Sequence, residues 1–290
     1  MVFDAAPTSH RFTSQRLSLH YLDWGNPEAP PLILQHGGRD HAHSWDWVAQ
    51  DLRKDWHVIC PDLRGHGDAA WSPDGDYTMF AFVADFAQLV ETLGYEQVTI
   101  GAHSLGGTIA TRYAGLYPDR VRRLLNIEGL GLTPRDLDRR SHRPYADRLR
   151  RWIEDRRKAA GRLPRRYASF DDALDRMRAA NATLSAAQVH HLTTHAVTHN
   201  DDGSYSWKFD PYLYVWPLAD FPDADIMALW AAVTCPVLLV YGADSWATNP
   251  ATDGRLAHFQ NARVVEYAGA GHWPHHDQLD RFLADLKGFL

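Results

Sequence analysis

Short apolar runs alternate along this chain with segments whose apolar positions recur at helical spacing. Residues 16–24 switch between apolar and polar positions, which is typical of a half-buried strand. Later runs are short and rich in apolar residues, as buried strands are: Leu32–Gln35, Trp56–Cys60, Val98–Ile100, Val121–Ile127, Pro236–Tyr241 and Arg263–Tyr267. The pattern therefore predicts strands in the first half of the chain and again near its end.

Helical spacing separates several of these strands. Trp45–Leu52 and Phe80–Leu93 show it, and Gly94 is suited to end the second of these helices. A further amphipathic helix carries apolar residues from Leu279 to Phe289. Because strands alternate with helices at this spacing, the sequence predicts an α/β fold built on a doubly wound, mainly parallel sheet.

The alternation stops near Gly129. From about 133 to 232 the sequence is polar and helical in character, and it shows no run typical of a buried strand. One core formed by residues 1–132 and 233–290, with residues 133–232 inserted as a helical unit, fits this pattern better than two consecutive domains.

Length, charge and cysteine content narrow the function classes. The 290 residues are enough for one large domain with an insertion, and the net charge of −6 argues against general nucleic-acid binding. No apolar run is long enough to cross a membrane, and no signal-peptide pattern is visible at the amino terminus. The two cysteines, Cys60 and Cys235, suggest buried thiols in a reducing compartment. We therefore expect a cytoplasmic protein that acts on a small molecule, without a nucleic-acid or membrane partner.

The most informative segment is Val98-Thr-Ile-Gly-Ala-His-Ser-Leu-Gly-Gly107, where a β-branched strand leads to one serine among small residues. A serine on a sharp strand-to-helix turn can expose its hydroxyl above a sheet, and small neighbours are needed because the two backbones approach closely. Such turns usually have the pattern Gly-x-Ser-x-Gly, and Ala102 occupies the position of the first glycine. The alternative is that Ser104 only caps the helix that follows.

Two further segments supply what a serine nucleophile needs. His36-Gly37-Gly38 follows a predicted strand, and the N–H groups of Gly38 and Leu105 are candidates for an oxyanion hole. His272, in Gly271-His-Trp273, is the candidate general base, since a serine hydroxyl is a weak nucleophile until an imidazole takes its proton.

These segments, together with Pro61-Asp-Leu-Arg-Gly-His-Gly67, resemble the α/β-hydrolase superfamily over essentially the whole chain. The resemblance implies a sheet of the eight-stranded type, a triad in the chain order serine, acid, histidine, and a helical cap formed by the insertion. It also implies that aromatic residues of the cap contact substrate.

Two carboxylates compete for the role of the triad acid. The position usual in the family is occupied by Ser245, and Asp244 precedes it by one residue. Glu128 lies at the tip of the strand Val121–Ile127, and its spacing from Ser104 resembles that of haloalkane dehalogenases and lactone hydrolases. An acid at the end of an apolar strand must be solvated, paired or functional. We favour Glu128 and keep Asp244 as the alternative.

Substrate-pocket and metal assignments depend on weaker signals. Candidate pocket residues are His41, Trp152, Trp207, Tyr214, Trp216 and Trp273. The arginine-rich stretch from Arg135 to Arg166 could attract an acidic substrate, but a solvated helix face explains it better. Four histidines of the insertion have helical spacings, but no neighbouring carboxylate or cysteine in that segment completes a ligand set, so no metal site is expected: His190, His191, His195 and His199.

The sequence therefore favours a serine hydrolase that cleaves a carboxylic ester or lactone through an acyl-serine intermediate and needs no cofactor. Cleavage of a carbon–carbon bond next to a ketone uses the same machinery. Two alternatives stay open: a cofactor-independent dioxygenase for an aromatic substrate, which the same superfamily contains, and a non-catalytic receptor for a small ligand.

Overall fold

The computed structural model describes residues 5–131, 133–215 and 217–290. The described part of the chain contains ten strands: β1 (Thr8–Ser14), β2 (Leu17–Asp23), β3 (Pro31–Gln35), β4 (His57–Asp62), β5 (Val98–His103), β6 (Val121–Ile127), β7 (Val197–His199), β8 (Tyr205–Trp207), β9 (Val237–Gly242) and β10 (Ala262–Tyr267). Eight of them form one sheet in the order β1-β2-β4-β3-β5-β6-β9-β10. The pairs β1–β2 and β2–β4 are antiparallel and the others are parallel. The predicted mainly parallel α/β fold is confirmed.

Helices flank the sheet and follow its strands. In the described residues they are α1 (Asp46–Leu52), α2 (Met79–Leu93), α3 (Leu105–Leu116), α4 (Pro134–Ser141), α5 (Tyr145–Ala160), α6 (Phe170–Ala180), α7 (Ala186–Ala196), α8 (Asp223–Ala232), α9 (Pro250–Asp253), α10 (Pro274–Asp277) and α11 (Leu279–Phe289). Short 3-10 helices lie at Ala42–Trp45, Pro118–Arg120, Pro211–Tyr214 and Arg255–His258. No helix in the described ranges has both the length and the apolar character needed to span a membrane.

Both faces of the sheet are buried. Ile33 and Ile100 pack with apolar residues of α2 and α3 on one face, and Leu32 and Leu34 pack with those of α1 and α11 on the other. Consecutive strand residues point to opposite faces, so a strand covered on both sides must be apolar throughout. This explains why the central strands are continuous apolar runs in the sequence.

The segment between β6 and β9, called the inserted segment below, contains α4 to α8, as its helical character predicts. It also contains the antiparallel pair β7–β8. These strands have three residues each, too few to show a period of two in the sequence. Within this segment α7 contacts the core. The Gln188 side chain donates to the carbonyl of His276 at 3.0 Å, and the His41 ring is 3.1 Å from the carbonyl of Leu192.

Parallel strands end at the same edge of a sheet. The segments that follow β3, β5, β6, β9 and β10 therefore converge there, and α7 lies against two of them. This edge holds the candidate catalytic side chains.

Candidate active site

Ser104 lies in a sharp turn between β5 and α3. Its backbone has φ 51° and ψ −116°, a conformation that is strained for a residue with a side chain. The Ser104 N–H donates to the carbonyl of Ile127 at 2.8 Å, which ties the turn to the end of β6. The side chain is partly exposed, so the hydroxyl is held at the surface of the site and not sealed in the core.

Small residues after Ser104 allow the close approach that this turn requires. A Cβ atom on Gly106 would lie 2.4 Å from the carbonyl oxygen of His36, and one on Gly107 would lie 2.6 Å from Oδ1 of Asn126. Both distances are far below van der Waals contact, so α3 could not pack against β3 and β6 with larger residues.

His272 follows β10 and bridges a hydroxyl and a carboxylate. Its Nε2 lies 3.0 Å from Oγ of Ser104, and its Nδ1 is hydrogen-bonded to Oε2 of Glu128. An ionised carboxylate only accepts hydrogen bonds, so this contact assigns the proton to Nδ1 and leaves Nε2 free to accept from the serine. The structure thus brings together the residues proposed from the sequence as nucleophile, base and favoured acid.

Hydrogen bonds hold both the backbone and the carboxylate of Glu128. Its backbone has a φ of 51° and its N–H donates to Val240 of β9 at 3.0 Å. The carboxylate is buried, and it accepts from the Gly242 N–H at 2.7 Å and from the Ser245 hydroxyl at 2.6 Å. Donors aimed at a carboxylate stabilise its charged form, which is the form that can orient an imidazole.

Asp244, the competing acid, is placed differently. Its side chain is exposed and its backbone N–H donates to the carbonyl of Ala270 at 3.0 Å. The carboxylate that bonds His272 is Glu128. Ser245, which occupies the position usual for the acid, donates to that carboxylate and so supports it from the loop after β9.

The two candidate oxyanion-hole residues lie side by side. A Cβ atom built on Gly38 would be 3.7 Å from Cδ2 of Leu105. Leu105 is the first residue of α3, so its N–H has no partner within the helix. His36 fixes this loop, since its Nδ1 lies 2.7 Å from the carbonyl of Gly37 while its Nε2 accepts from the Leu63 N–H at 3.0 Å.

His103 is a site residue whose role the sequence did not show. Its Nε2 lies 2.9 Å from the backbone carbonyl of His272. Burial lowers the pKa of His103 well below the ordinary value for histidine. A neutral imidazole therefore donates to the loop that carries His272 and holds it in place.

Trp246 is a second residue that sequence reasoning missed. Its ring centroid is 4.6 Å from that of His272, although 73% of the tryptophan is exposed. A large apolar side chain left in solvent beside the imidazole is suited to shield it or to contact substrate. Its position directly after Ser245 in the loop after β9 was the available signal.

Two of the candidate pocket residues pack between the core and α7. His41 is buried, and its pKa is lowered to about 3 because burial penalises the charged ring. Trp273 packs with Leu184 and Val189 of the inserted segment. The structure therefore gives both residues packing contacts beside the site, and contact with substrate stays a prediction for each.

The remaining pocket candidates belong to the inserted segment. Trp207 and Tyr214 line a cleft of about 210 Å³ together with arginines that include Arg165. Neither Ser104 nor His272 is among its described lining residues. Trp152 lies under the guanidinium of Arg156 on α5, and Trp216 lies outside the described residues.

The prediction of no metal site considered carboxylates only in the inserted segment that carries the four histidines. The structure brings one to them from another part of the chain. His43 and Asp46, from the segment that follows the Gly37–Gly38 loop, meet His191 and His195 of α7, and potential ligand atoms of these four residues all lie within 4.8 Å of one another. The four residues come from distant parts of the sequence, so the sequence of the inserted segment alone does not indicate the cluster.

Most of the chain is similar to known proteins. The family model described as alpha/beta hydrolase fold matches residues 30–279. Esterase Rv0045c of Mycobacterium tuberculosis is 29% identical over 276 residues, which cover 93% of this chain and 85% of the esterase. The 3-hydroxybutyrate-oligomer hydrolase of Cupriavidus necator is 28% identical over 270 residues, which cover 88% of this chain and 86% of that protein.

Solved structures agree with the fold. A thioesterase domain from the curacin biosynthetic pathway superposes with a TM-score of 0.84 at 21% identity and covers 98% of this chain and 100% of that domain. The crystal structure of esterase Rv0045c from Mycobacterium tuberculosis gives a TM-score of 0.73 at 26% identity and covers 98% and 91% of the two chains.

Proposed function

From the premise that the chain belongs to the α/β-hydrolase fold family, we propose that it is a serine hydrolase that cleaves carboxylic esters through an acyl-serine intermediate. One observation carries this proposal. The Ser104 hydroxyl is 3.0 Å from Nε2 of His272, whose other nitrogen bonds the buried carboxylate of Glu128. A nucleophile, a base and an orienting acid in this order are what acyl transfer to serine requires.

The first half-reaction follows from these contacts. Ser104 Oγ attacks the ester carbonyl while His272 Nε2 takes the hydroxyl proton. Glu128 keeps the Nδ1 proton in place and stabilises the imidazolium that forms. The N–H groups of Gly38 and Leu105 receive the negative charge that develops on the carbonyl oxygen.

His272 then gives its proton to the departing alcohol, which completes the first half-reaction and leaves Ser104 acylated. In the second half-reaction His272 takes a proton from water as the water attacks the acyl carbon. Collapse of this second tetrahedral intermediate releases the carboxylic acid and returns the proton to Ser104. Proton and charge balance across the cycle, and neither half-reaction needs a cofactor.

The choice of an ester among acyl substrates also has support from relatives. The first relative described above is named an esterase, and the second is named for hydrolysis of hydroxybutyrate oligomers. Serine at the nucleophile position fits acyl transfer, whereas family members that open epoxides or remove halides use aspartate there. We include lactones and ketones with a cleavable carbon–carbon bond as competing substrates in the test.

Covalent labelling tests the nucleophile. The protein is treated with an organophosphate and its intact mass is measured, with peptide mapping to locate the adduct. We expect one adduct per chain on Ser104, which is absent in Ser104→Ala and strongly slowed in His272→Ala. The variant His190→Ala, which changes an exposed histidine of the insertion, should label at the original rate.

Turnover on p-nitrophenyl esters graded by acyl length then tests the reaction, and it is compared with turnover on lactones and on ketones with a cleavable carbon–carbon bond. Faster turnover of either of those classes would replace the ester as the proposed substrate. Ser104→Ala should lower kcat by about 10⁴-fold or more. Lack of both labelling and turnover would instead favour a ligand receptor. Oxygen consumption with an aromatic substrate that persists in Ser104→Ala would contradict the hydrolase proposal and favour a dioxygenase.

A further inference from the structure

The contact between the core and α7 contains a group of side chains that ester hydrolysis does not use. His43 and Asp46 come from the segment that follows the Gly37–Gly38 loop, and His191 and His195 come from α7. His43 lies in the short 3-10 helix just before α1, and Asp46, three residues later, begins α1. His191 and His195 are four residues apart on one face of α7. The two pairs meet here.

The hydrogen bonds within this group leave one oxygen of the Asp46 carboxylate without a partner among the described residues. Nδ1 of His43 lies 2.8 Å from Oδ2 of Asp46, and Nε2 of His191 lies 2.9 Å from the same oxygen. The other carboxylate oxygen of Asp46 is buried and has no hydrogen-bond partner among the described residues. Because Asp46 is 3% exposed, this bare oxygen carries a desolvation cost that a direct ligand would remove.

His195 is close to the group without bonding to it. Its ring stacks on that of His43 with centroids 3.6 Å apart, and it lies 4.7 Å from that of His191. No hydrogen bond to either nitrogen of His195 is found among the described residues. Three imidazoles thus surround one buried carboxylate, and one of the imidazoles contributes nothing to the present hydrogen bonds.

We propose that His43, Asp46, His191 and His195 form a binding site for a divalent transition metal ion, with Zn²⁺ as the best fit. Three imidazole nitrogens and one carboxylate oxygen are a donor set that suits Zn²⁺ in a four-coordinate site, whereas Mg²⁺ prefers oxygen ligands. The ligand atoms now lie within 4.8 Å of one another. Metal–ligand bonds of about 2 Å therefore require only small side-chain rotations, chiefly of the stacked His43 and His195 rings.

Such an ion would join the inserted segment to the core. One pair of ligands lies just after the Gly37–Gly38 loop, and the other is on α7, whose Gln188 bonds the carbonyl of His276 near His272. Metal binding would therefore fix α7 over the edge of the sheet that carries the candidate active site. The proposal does not depend on Ser104 being a nucleophile, and its test does not measure catalysis.

Calorimetry tests the site directly. Untagged protein is stripped with a chelator, dialysed and titrated with ZnCl₂ and, separately, with MgCl₂. We expect one Zn²⁺ per chain, no binding of Mg²⁺, and a higher melting temperature when Zn²⁺ is present. His195→Ala should weaken Zn²⁺ binding at least 100-fold and abolish the thermal shift.

His195→Ala is the decisive variant because His195 takes no part in the hydrogen bonds of the group. A group that serves only as a hydrogen-bonded junction would predict no effect of this substitution on Zn²⁺ binding. His190→Ala and His199→Ala, which change other histidines of the inserted segment, should bind Zn²⁺ as the original protein does. His272→Ala should also retain binding, which separates this site from metal captured by the candidate active site.

Two results would overturn the proposal. One is that stripped protein binds no Zn²⁺ at micromolar concentration. The other is that His195→Ala binds with unchanged affinity and stoichiometry. Circular dichroism of each variant without metal checks the fold, and Asp46→Asn provides a second loss of a ligand if His195→Ala is poorly folded.

Discussion

Glu128 contacts His272 from the end of β6, while Asp244 lies exposed after β9. We predict that Glu128→Gln lowers kcat on a p-nitrophenyl ester by about 10⁴-fold, because an amide in this position can no longer hold the imidazole in the reactive tautomer. Asp244→Asn should change kcat less than twofold. Steady-state kinetics of the two purified variants measure the difference.

Both substitutions keep the size of the side chain, so each serves as the control for the other. Melting temperatures of the two variants show whether a loss of activity reflects unfolding. A larger loss in Asp244→Asn than in Glu128→Gln would assign the acid to the loop after β9 and contradict the geometry described above.

Ser245 supports the carboxylate of Glu128 through a hydrogen bond of 2.6 Å. A hydrogen bond to a charged group contributes about 1.5–3 kcal/mol. Without the Ser245 hydroxyl, the Gly242 N–H and His272 would still donate to the carboxylate, so only part of this energy would be lost. We therefore expect Ser245→Ala to lower kcat by about tenfold with little change in KM. Ser245→Thr keeps the hydroxyl and should restore most of the rate; equal losses in both variants would show that the hydroxyl is not what matters.

At the scale of elements, the approach of α3 to β3 depends on Gly106. A Cβ atom there would lie 2.4 Å from a backbone oxygen that cannot rotate away. We expect Gly106→Ala to lower the free energy of unfolding by about 3 kcal/mol, at the upper end of the usual cost of overpacking. Activity should fall as well, because the same helix carries Leu105. Urea denaturation followed by tryptophan fluorescence measures the stability.

Gly288 in α11 provides the matched control. Nothing lies within 4 Å of a Cβ atom built on it, and alanine is the better helix former. Gly288→Ala should therefore leave stability unchanged or raise it by about 0.5 kcal/mol. If both substitutions proved neutral, the close packing of α3 against β3 would be wrong.

The limits of prediction from sequence are also clearest among the elements. The central strands and α2 could be predicted because burial on two faces or on one stripe leaves a strong pattern. By contrast, β1 is mostly exposed at the sheet edge, and β7 and β8 are too short to show a period.

Some residues of the candidate site could be predicted from the sequence and others could not. Ser104 and His272 could be proposed because local sequence signals mark their turns. The choice between Glu128 and Asp244 needed the register of β6 against β9, which no local pattern records. The group around Asp46 needed the position of α7 on the core, which is set by tertiary packing.

For the whole molecule, buried histidines make stability depend on pH. Among the described residues, burial lowers the pKa of six of them, to about 3 in three cases, His41, His66 and His276; the other three are His36, His103 and His275. Below pH 6.5 the unfolded chain binds protons that the native state does not, so stability falls as the pH drops from 6.5 toward the native pKa values.

We expect each histidine whose native pKa is near 3 to remove about 1 kcal/mol of stability between pH 7 and pH 5.5. Together, the six buried histidines should lower the melting temperature by about 10 °C over that range, as measured by scanning calorimetry at several pH values. A melting temperature that is flat or rises on acidification to pH 5.5 would contradict this prediction.

His275 allows the cause to be isolated. It is buried against Trp45 with ring centroids 4.8 Å apart, and neither of its ring nitrogens has a hydrogen-bond partner among the described residues. His275→Phe should therefore reduce the pH dependence by about one histidine's share, whereas His190→Gln at an exposed position should leave it unchanged.

Attachment of the carboxylate to β6 has an evolutionary consequence. The stretch from Trp246 to Asp253 does not carry the triad acid. Its length can therefore vary among homologues, and its sequence can be randomised in directed evolution, as long as Gly242 and Ser245 are kept. Two members of the triad are inherited together on a single strand–helix–strand unit. Transplanting this chemistry onto a new scaffold would require one continuous segment and one histidine.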